Sequence, residues 1–237
     1  MLKETFYLDG ISAKSVGINL QKEMSFSEAI PIIETEHIDG RNGDLVFDTG
    51  SFENRTGTAS CFALNEGVLR DISAINNFLF FKKGYRRLET DSDPTHFWLA
   101  SVKNGASIQP RMMLLNPFDI EFDCNPCRFL KDGEDAIEFT SPSSIYNKYS
   151  FSSLPIIKVY LEGDGILNVG KYSVELKTTP EGFIILDSET QNAYNNNGNR
   201  NSKIKCDEFP ILEFGENNIY FDGGITSIEI TPRWWEI

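Results

Sequence analysis

The residues best suited by type and spacing to do chemistry are Cys124 and Cys127, which stand in "EFDCNPCRF" with Pro126 between them. A C-x-x-C pair can be a redox dithiol or half of a metal site. The redox form begins a helix that follows a strand, where the helix N-terminus lowers the thiol pKa. Here the pair ends an alternating segment and no helical periodicity follows. A zinc site needs four nitrogen or sulfur ligands, usually as two close pairs. Cys61 and Cys206 are isolated, and His37 and His96 have no paired spacing. The reading is therefore no metal, no cofactor and a structural pair: Cys124 continues an apolar face, and Asn125-Pro126 turns the chain out of a sheet.

The remaining candidates are weaker. Glu34/Glu36 and Glu121/Asp123 are carboxylates at i and i+2, which on a strand share one face, by default the solvent face. Two glycosidase acids would need a set separation across a cleft, which spacing in sequence does not provide. "EGDGILNVG" and "DGRNGD" lack the D-x-[DN]-x-[DN]-G pattern and distal Glu of a calcium loop, and read as tight turns. No G-x-S-x-G, P-loop or dinucleotide fingerprint occurs. The sequence supplies no catalytic constellation, and an enzyme is not expected.

The elements that would position these residues are mostly short alternating segments punctuated by Gly, Asn, Asp and Pro, the pattern of antiparallel sheet. "FDIEFDC" puts Phe118, Ile120, Phe122 and Cys124 on one face and Asp119, Glu121 and Asp123 on the other. "EHIDGRNGDLVF" reads as a hairpin. Val68, Ile72, Ile75 and Leu79 recur at helical spacing and predict the one substantial helix, about 66–82. Asn65 is its candidate N-cap, with Lys82, Lys83 and Gly84 at its C-terminus. "FFKKGYRR" then reads as a helix end followed by an exposed strand, and "NAYNNNGNRNSK" as a loop. Adjacent Trp234 and Trp235 would point to opposite sides of a strand, one of them into the core. A Ser-, Pro- and Asp-rich change of character near 130–140 suggests two β-rich domains, 1–133 and 134–237. The second is expected to be a two-sheet sandwich or jelly roll.

Composition narrows the partners. The 237 residues carry 22 Lys and Arg against 35 Asp and Glu, a net charge of −13. So acidic a chain repels a phosphate backbone, which argues against stable nucleic-acid binding yet suits a surface past which DNA must slide. "MLKETFYLDGISAKS" has no apolar signal core and no run of eighteen apolar residues occurs, so synthesis in the cytoplasm without membrane insertion is expected.

Several stretches taken together resemble the distal tail (Dit) protein family of siphophages infecting Gram-positive hosts. "FYLDGISAKSVGINL" followed by "IDGRNGDLVFDTGSFENR" resembles that family's opening strand, Gly-Ile turn and Gly-Arg-x-Gly hairpin, matched by Gly40, Arg41 and Gly43. "FDIEFDCNPCRF" resembles the segment that closes the first domain, with Cys124 and Pro126 in a Phe-x-Cys-x-Pro pattern. "FPILEFGENNIYFDGGITSIEITPRWWEI" resembles the closing strands of the second domain, where Gly215-Glu216-Asn217 and Pro232-Arg233-Trp234 match Gly-x-Asn and Pro-Arg-Trp elements. The motifs are short, but their order spans essentially the whole chain. Cys127 stands where the family often has an aromatic residue and Trp235 where it often has a polar one.

The resemblance implies an all-β protein with one helix, made of an N-terminal β-sandwich that forms a homo-hexameric ring and a C-terminal galectin-like jelly roll. It implies a hub at the virion tail tip, or baseplate, made in the bacterial host cytoplasm. The ring would join the tail tube protein to a tail-associated lysin or fibre protein, carry receptor-binding proteins at its edge, and pass DNA through its lumen without binding it. The alternative reading is a carbohydrate-binding module that recognises host cell-wall polysaccharide; a glycan hydrolase stands third.

Overall fold

The structure is a computed structural model that describes residues 4–64, 68–104 and 115–237. The chain forms two compact units, Met1–Arg128 with Ile237, and Phe129–Glu236. The architecture is all-β with one substantial helix.

In the first unit the strands neighbour one another in the order Ile11–Ser12, Phe6–Leu8, Arg86–Thr90, Asp93–Val102, Leu115–Leu130, Arg55–Leu64 and Asn19–Leu20. The alternation read in "FDIEFDC" is realised: Phe118, Ile120, Phe122 and Cys124 are all buried. Their cross-strand partners are small, with Phe118 opposite Cys61, Ile120 opposite Ala59 and Phe122 opposite Gly57. Large against small across a ladder fills the space under the helix without overpacking. A Cβ on Gly57 would meet the Phe26 ring at 3.0 Å and Cys124 Sγ at 3.1 Å, which explains the missing side chain there. The helix runs Val68–Phe80 and seats Ile75, Phe78 and Leu79 in this core. Phe6 joins both layers, its ring 6.0 Å from Phe78 and 5.7 Å from Phe122. Asn65 lies outside the described residues.

Two expectations for this unit need correction. Asn125-Pro126 does not turn the chain out of the sheet, because the strand runs unbroken from Leu115 to Leu130. Its ladder with Arg55–Leu64 ends at Cys124, so beyond that pair a proline without an N–H deprives that neighbour of no bond. The segment after the helix is not an exposed strand either. Arg86–Thr90 lies between Phe6–Leu8 and Asp93–Val102 with Arg86, Leu88 and Thr90 buried.

In the second unit two long strands, Ile156–Val169 and Gly215–Thr231, pair antiparallel along their length. The register between them breaks at Tyr160/Leu161 and again at Leu161/Gly165. One half of Ile156–Val169 pairs with Phe183–Asp187 and the other with Tyr172–Leu176. The bend thus lets one strand serve both parts of a curled sheet, and Val159, Leu167, Val174 and Ile184 meet in a single core. "EGDGILNVG" is therefore a bulged strand rather than a tight turn. The bend needs bare backbone, since a Cβ on Gly165 would lie 2.5 Å from Asp222 O and one on Gly224 2.3 Å from Gly163 Cα. "NAYNNNGNRNSK" also differs from expectation: Asn192–Asn195 and Gly198–Asn199 form a hairpin. Asn195 and Asn197 both donate to the Glu181 carboxylate, which gives an asparagine-rich run fixed partners that composition alone does not reveal.

Candidate assembly surfaces

The cysteines are placed as packing groups. Burial pushes the Cys61 and Cys124 thiols up to about 12, and that of Cys127 to about 11 against the opposing pull of Arg55. All three are held as neutral thiols at neutral pH, the unreactive form. Among the described residues no group of three or more His, Cys, Asp and Glu could hold a metal ion.

The motif residues fall into separate places. Gly40, Arg41 and Gly43 lie in the turn of a two-stranded ribbon, Pro31–Glu36 paired with Leu45–Phe52. Both glycines have positive φ, 83° and 79°, and Arg41 N donates to Ile38 O. His37 Nδ1 and Asp44 Oδ1, 2.9 Å apart, close the turn. Asn217 is buried in the second unit, where its Oδ1 accepts from Glu213 N and its Nδ2 donates to Glu213 O and Gly215 O. It holds a turn whose Gly215 has a φ of 93°.

Pro232 and Trp234 are buried, and Arg233 between them is half-buried. Arg233 Nη1 pairs with Asp187 at 2.7 Å and Glu189 at 3.1 Å. The Trp234 backbone passes so close to Gly133 that a Cβ there would lie 2.4 Å from Trp234 N. Trp234 is the core tryptophan, while Trp235 is half-buried, stacked 4.5 Å from Phe151 with its Nε1 donating to Ser152 O. These residues shape turns and packing rather than converge on one point.

A partly buried ion pair joins segments that sequence spacing did not connect. Arg86 donates through Nε to Asp9 at 2.9 Å and through Nη1 to Phe78 O at 2.6 Å and Leu79 O at 3.3 Å. A guanidinium thus satisfies the orphan carbonyls at the helix end, the role that spacing assigned to Lys82 and Lys83. Burial alone would raise the Asp9 carboxyl, but the Arg86 and Arg87 hydrogen bonds and the Arg86 and Lys82 charges bring it below the ordinary value.

Among the described residues the open surfaces include a ribbon and a groove. The ribbon pairs with no other strand among the described residues and leaves Ile32, Ile33, Val46 and Phe47 exposed. In the second unit a groove of about 520 Å³ opens between the bend and the 202–205 segment, lined by Asp164, Ile166, Glu175, Lys177, Lys203 and Asp222. Glu34 and Glu36 stand exposed on the ribbon, while Glu121 and Asp123 are half-buried on the face opposite Phe122.

No family model and no curated protein matches the sequence. Among solved structures, the crystal structure of SPP1 Dit, described as a paradigm of the hub adsorption apparatus in phages infecting Gram-positive bacteria, is similar to this chain. The TM-score is 0.75 at 13% sequence identity, over 97% of this chain and 98% of that one. The likeness thus runs through both units at low sequence identity. The chain has the all-β fold of the SPP1 Dit protein along nearly its entire length.

Proposed function

We propose that this protein is the structural hub of a siphophage tail tip, a hexameric ring that joins the tail tube to tail-associated and adsorption proteins and lets DNA pass through its lumen. The observation that carries the reading is the agreement of fold with the SPP1 hub protein over almost the full length of both chains. The exposed apolar ribbon supports it, because a two-stranded ribbon is marginal in water and long exposed edges invite pairing with another chain. The charge of −13 supports the passage of DNA, since such a wall offers few cations to phosphates. In this reading the protein is not an enzyme and its work is done in the virion.

The test is assembly. Light scattering on the purified protein is expected to give six copies, or twelve as back-to-back rings, and negative-stain microscopy six-fold rings with a central hole. A monomer at all concentrations would overturn the reading. One observation favours the alternative, a carbohydrate-binding module. Tyr220 is exposed on the same strand face as Asp222, two residues from that lining residue of the 520 Å³ groove, and offers a ring that could stack on a sugar. A monomer that binds cell-wall polysaccharide, and loses binding in Tyr220→Ala, would support that reading.

A further inference from the structure

The ribbon is the least explained element of the first unit. Every residue of Pro31–Glu36 is exposed, as are all but the end residues of Leu45–Phe52. The register pairs Ile33 with Asp48, Glu34 with Phe47, Thr35 with Val46 and Glu36 with Leu45. Ile33, Thr35, Val46 and Asp48 therefore share one face, and Glu34, Glu36, Leu45 and Phe47 the other. Each face mixes apolar and acidic groups. Ile33 is 55% exposed, Val46 61% and Phe47 49%. Across residues 30–53 the carboxylates are Glu34, Glu36, Asp39, Asp44, Asp48 and Glu53, against the single guanidinium of Arg41.

The complementary surface lies where the helix ends. Phe80 is 44% exposed, Phe81 89% and Tyr85 46%. Lys82 and Lys83 stand exposed between these rings, and Gly84, at a φ of 82°, turns the chain back into the sheet. The result is an aromatic knob carrying two ammonium groups, part of the tightest basic cluster in an acidic chain. Lys82 reaches Asp9 at 3.4 Å, a loose surface pair.

Geometry separates the two surfaces within one copy. Asn54, just beyond the ribbon's second strand, donates to Tyr85 Oη at 2.8 Å, so the knob sits at the ribbon's own foot. Glu53 N donates to Ile30 O and closes that foot. Six residues of strand at about 3.3 Å each carry the far end of the ribbon roughly 20 Å away. A ribbon anchored beside one knob and extending from it offers its far end to a second copy.

We propose that the acidic, apolar ribbon of one copy docks on the aromatic, basic knob at residues 80–85 of the next copy, head to tail. The inference rests on the hub reading and names the surfaces that join its subunits. Two different patches on each copy are what a heterologous contact needs, and such a contact repeated around an axis closes a ring. Charge selects the pairing: copies of a chain at −13 repel one another over most of their surface, and the knob is where an acidic ribbon is attracted. Phe81 and Tyr85 give the isoleucines, Val46 and Phe47 an apolar surface to cover.

The experiment compares the full-length wild-type protein with E34K/E36K, with K82E/K83E and with the four changes combined, reading the concentration midpoint of assembly by analytical ultracentrifugation. Each reversal alone is expected to raise the midpoint tenfold or more, and the combination to bring it back to within about threefold of wild type. Since Lys82 also meets Asp9, Phe81→Ser is a second knob variant; it removes a ring that is 89% exposed and so leaves the fold unchanged in circular dichroism while raising the midpoint. Wild-type-like assembly in E34K/E36K and in Phe81→Ser would overturn this contact while leaving the hub reading standing. A wild-type protein that never assembles would overturn both.

Discussion

Arg233 and Asp187 show how a short motif acquires a physical meaning. Burial alone would raise the Asp187 carboxyl, yet the hydrogen bond and charge of Arg233 hold it below its ordinary value. A carboxyl depressed on folding adds stability that is fully present above its unfolded value, about 3.9, and is lost as pH falls through the lower folded value. Urea unfolding from pH 7 to pH 3 is therefore expected to show Asp187→Asn less stable by roughly 1–3 kcal/mol at neutral pH. The gap should narrow below about pH 4, as the wild-type carboxyl takes up its proton. A gap constant with pH would show that the charge of Asp187 is not what stabilises the turn. Asp9 with Arg86 belongs to the same class, and neither pair was legible in the sequence: Asp9 and Arg86 are 77 residues apart, Asp187 and Arg233 46.

At the level of elements, what could be read was what periodicity encodes. The helix, the alternating strand at Phe118–Cys124 and the ribbon all follow from the local spacing of apolar residues and turn glycines. Two expectations failed where one residue type serves opposite ends. Glycine marks tight turns, but at Gly163, Gly165, Gly223 and Gly224 it permits two long strands to bend against each other. Asparagine marks loops, but at 192–199 it lines a hairpin whose side chains meet Glu181. Gly165→Ala tests the bend: its new methyl would have to displace Asp222 O, at 2.5 Å, and Ile225 Cγ1, at 2.7 Å. A loss of about 1–3 kcal/mol is expected in denaturant unfolding, the usual size for overpacking. No change would mean that the strands have room that their spacing does not reveal.

On the scale of the molecule, the separation of the motif residues is itself informative. Gly40, Arg41 and Gly43 sit in a ribbon turn, Asn217 in a second-unit turn, and Pro232, Arg233 and Trp234 near the chain's end, so each group acts on its own local backbone. The cysteine pair gives a test at this scale. Cys127 is half-buried with its thiol raised to about 11, so Cys127→Ser is expected to leave the assembled mass unchanged in light scattering. Loss of assembly, or a metal lost with the thiol, would reopen the chemistry of the pair.

The sequence by itself determined the class of the protein: acidic, rich in strands, with one amphipathic helix and no group of residues spaced for catalysis. Charge, periodicity and motif spacing are properties of the chain at short range, so they survive without coordinates. Only the tertiary structure decided that Arg86 caps the helix, that Pro126 lies inside a strand, and that the ribbon leaves both of its faces to solvent. Each of those facts depends on which distant segments arrive alongside, and a ribbon reads the same in sequence whether a core covers it or water does.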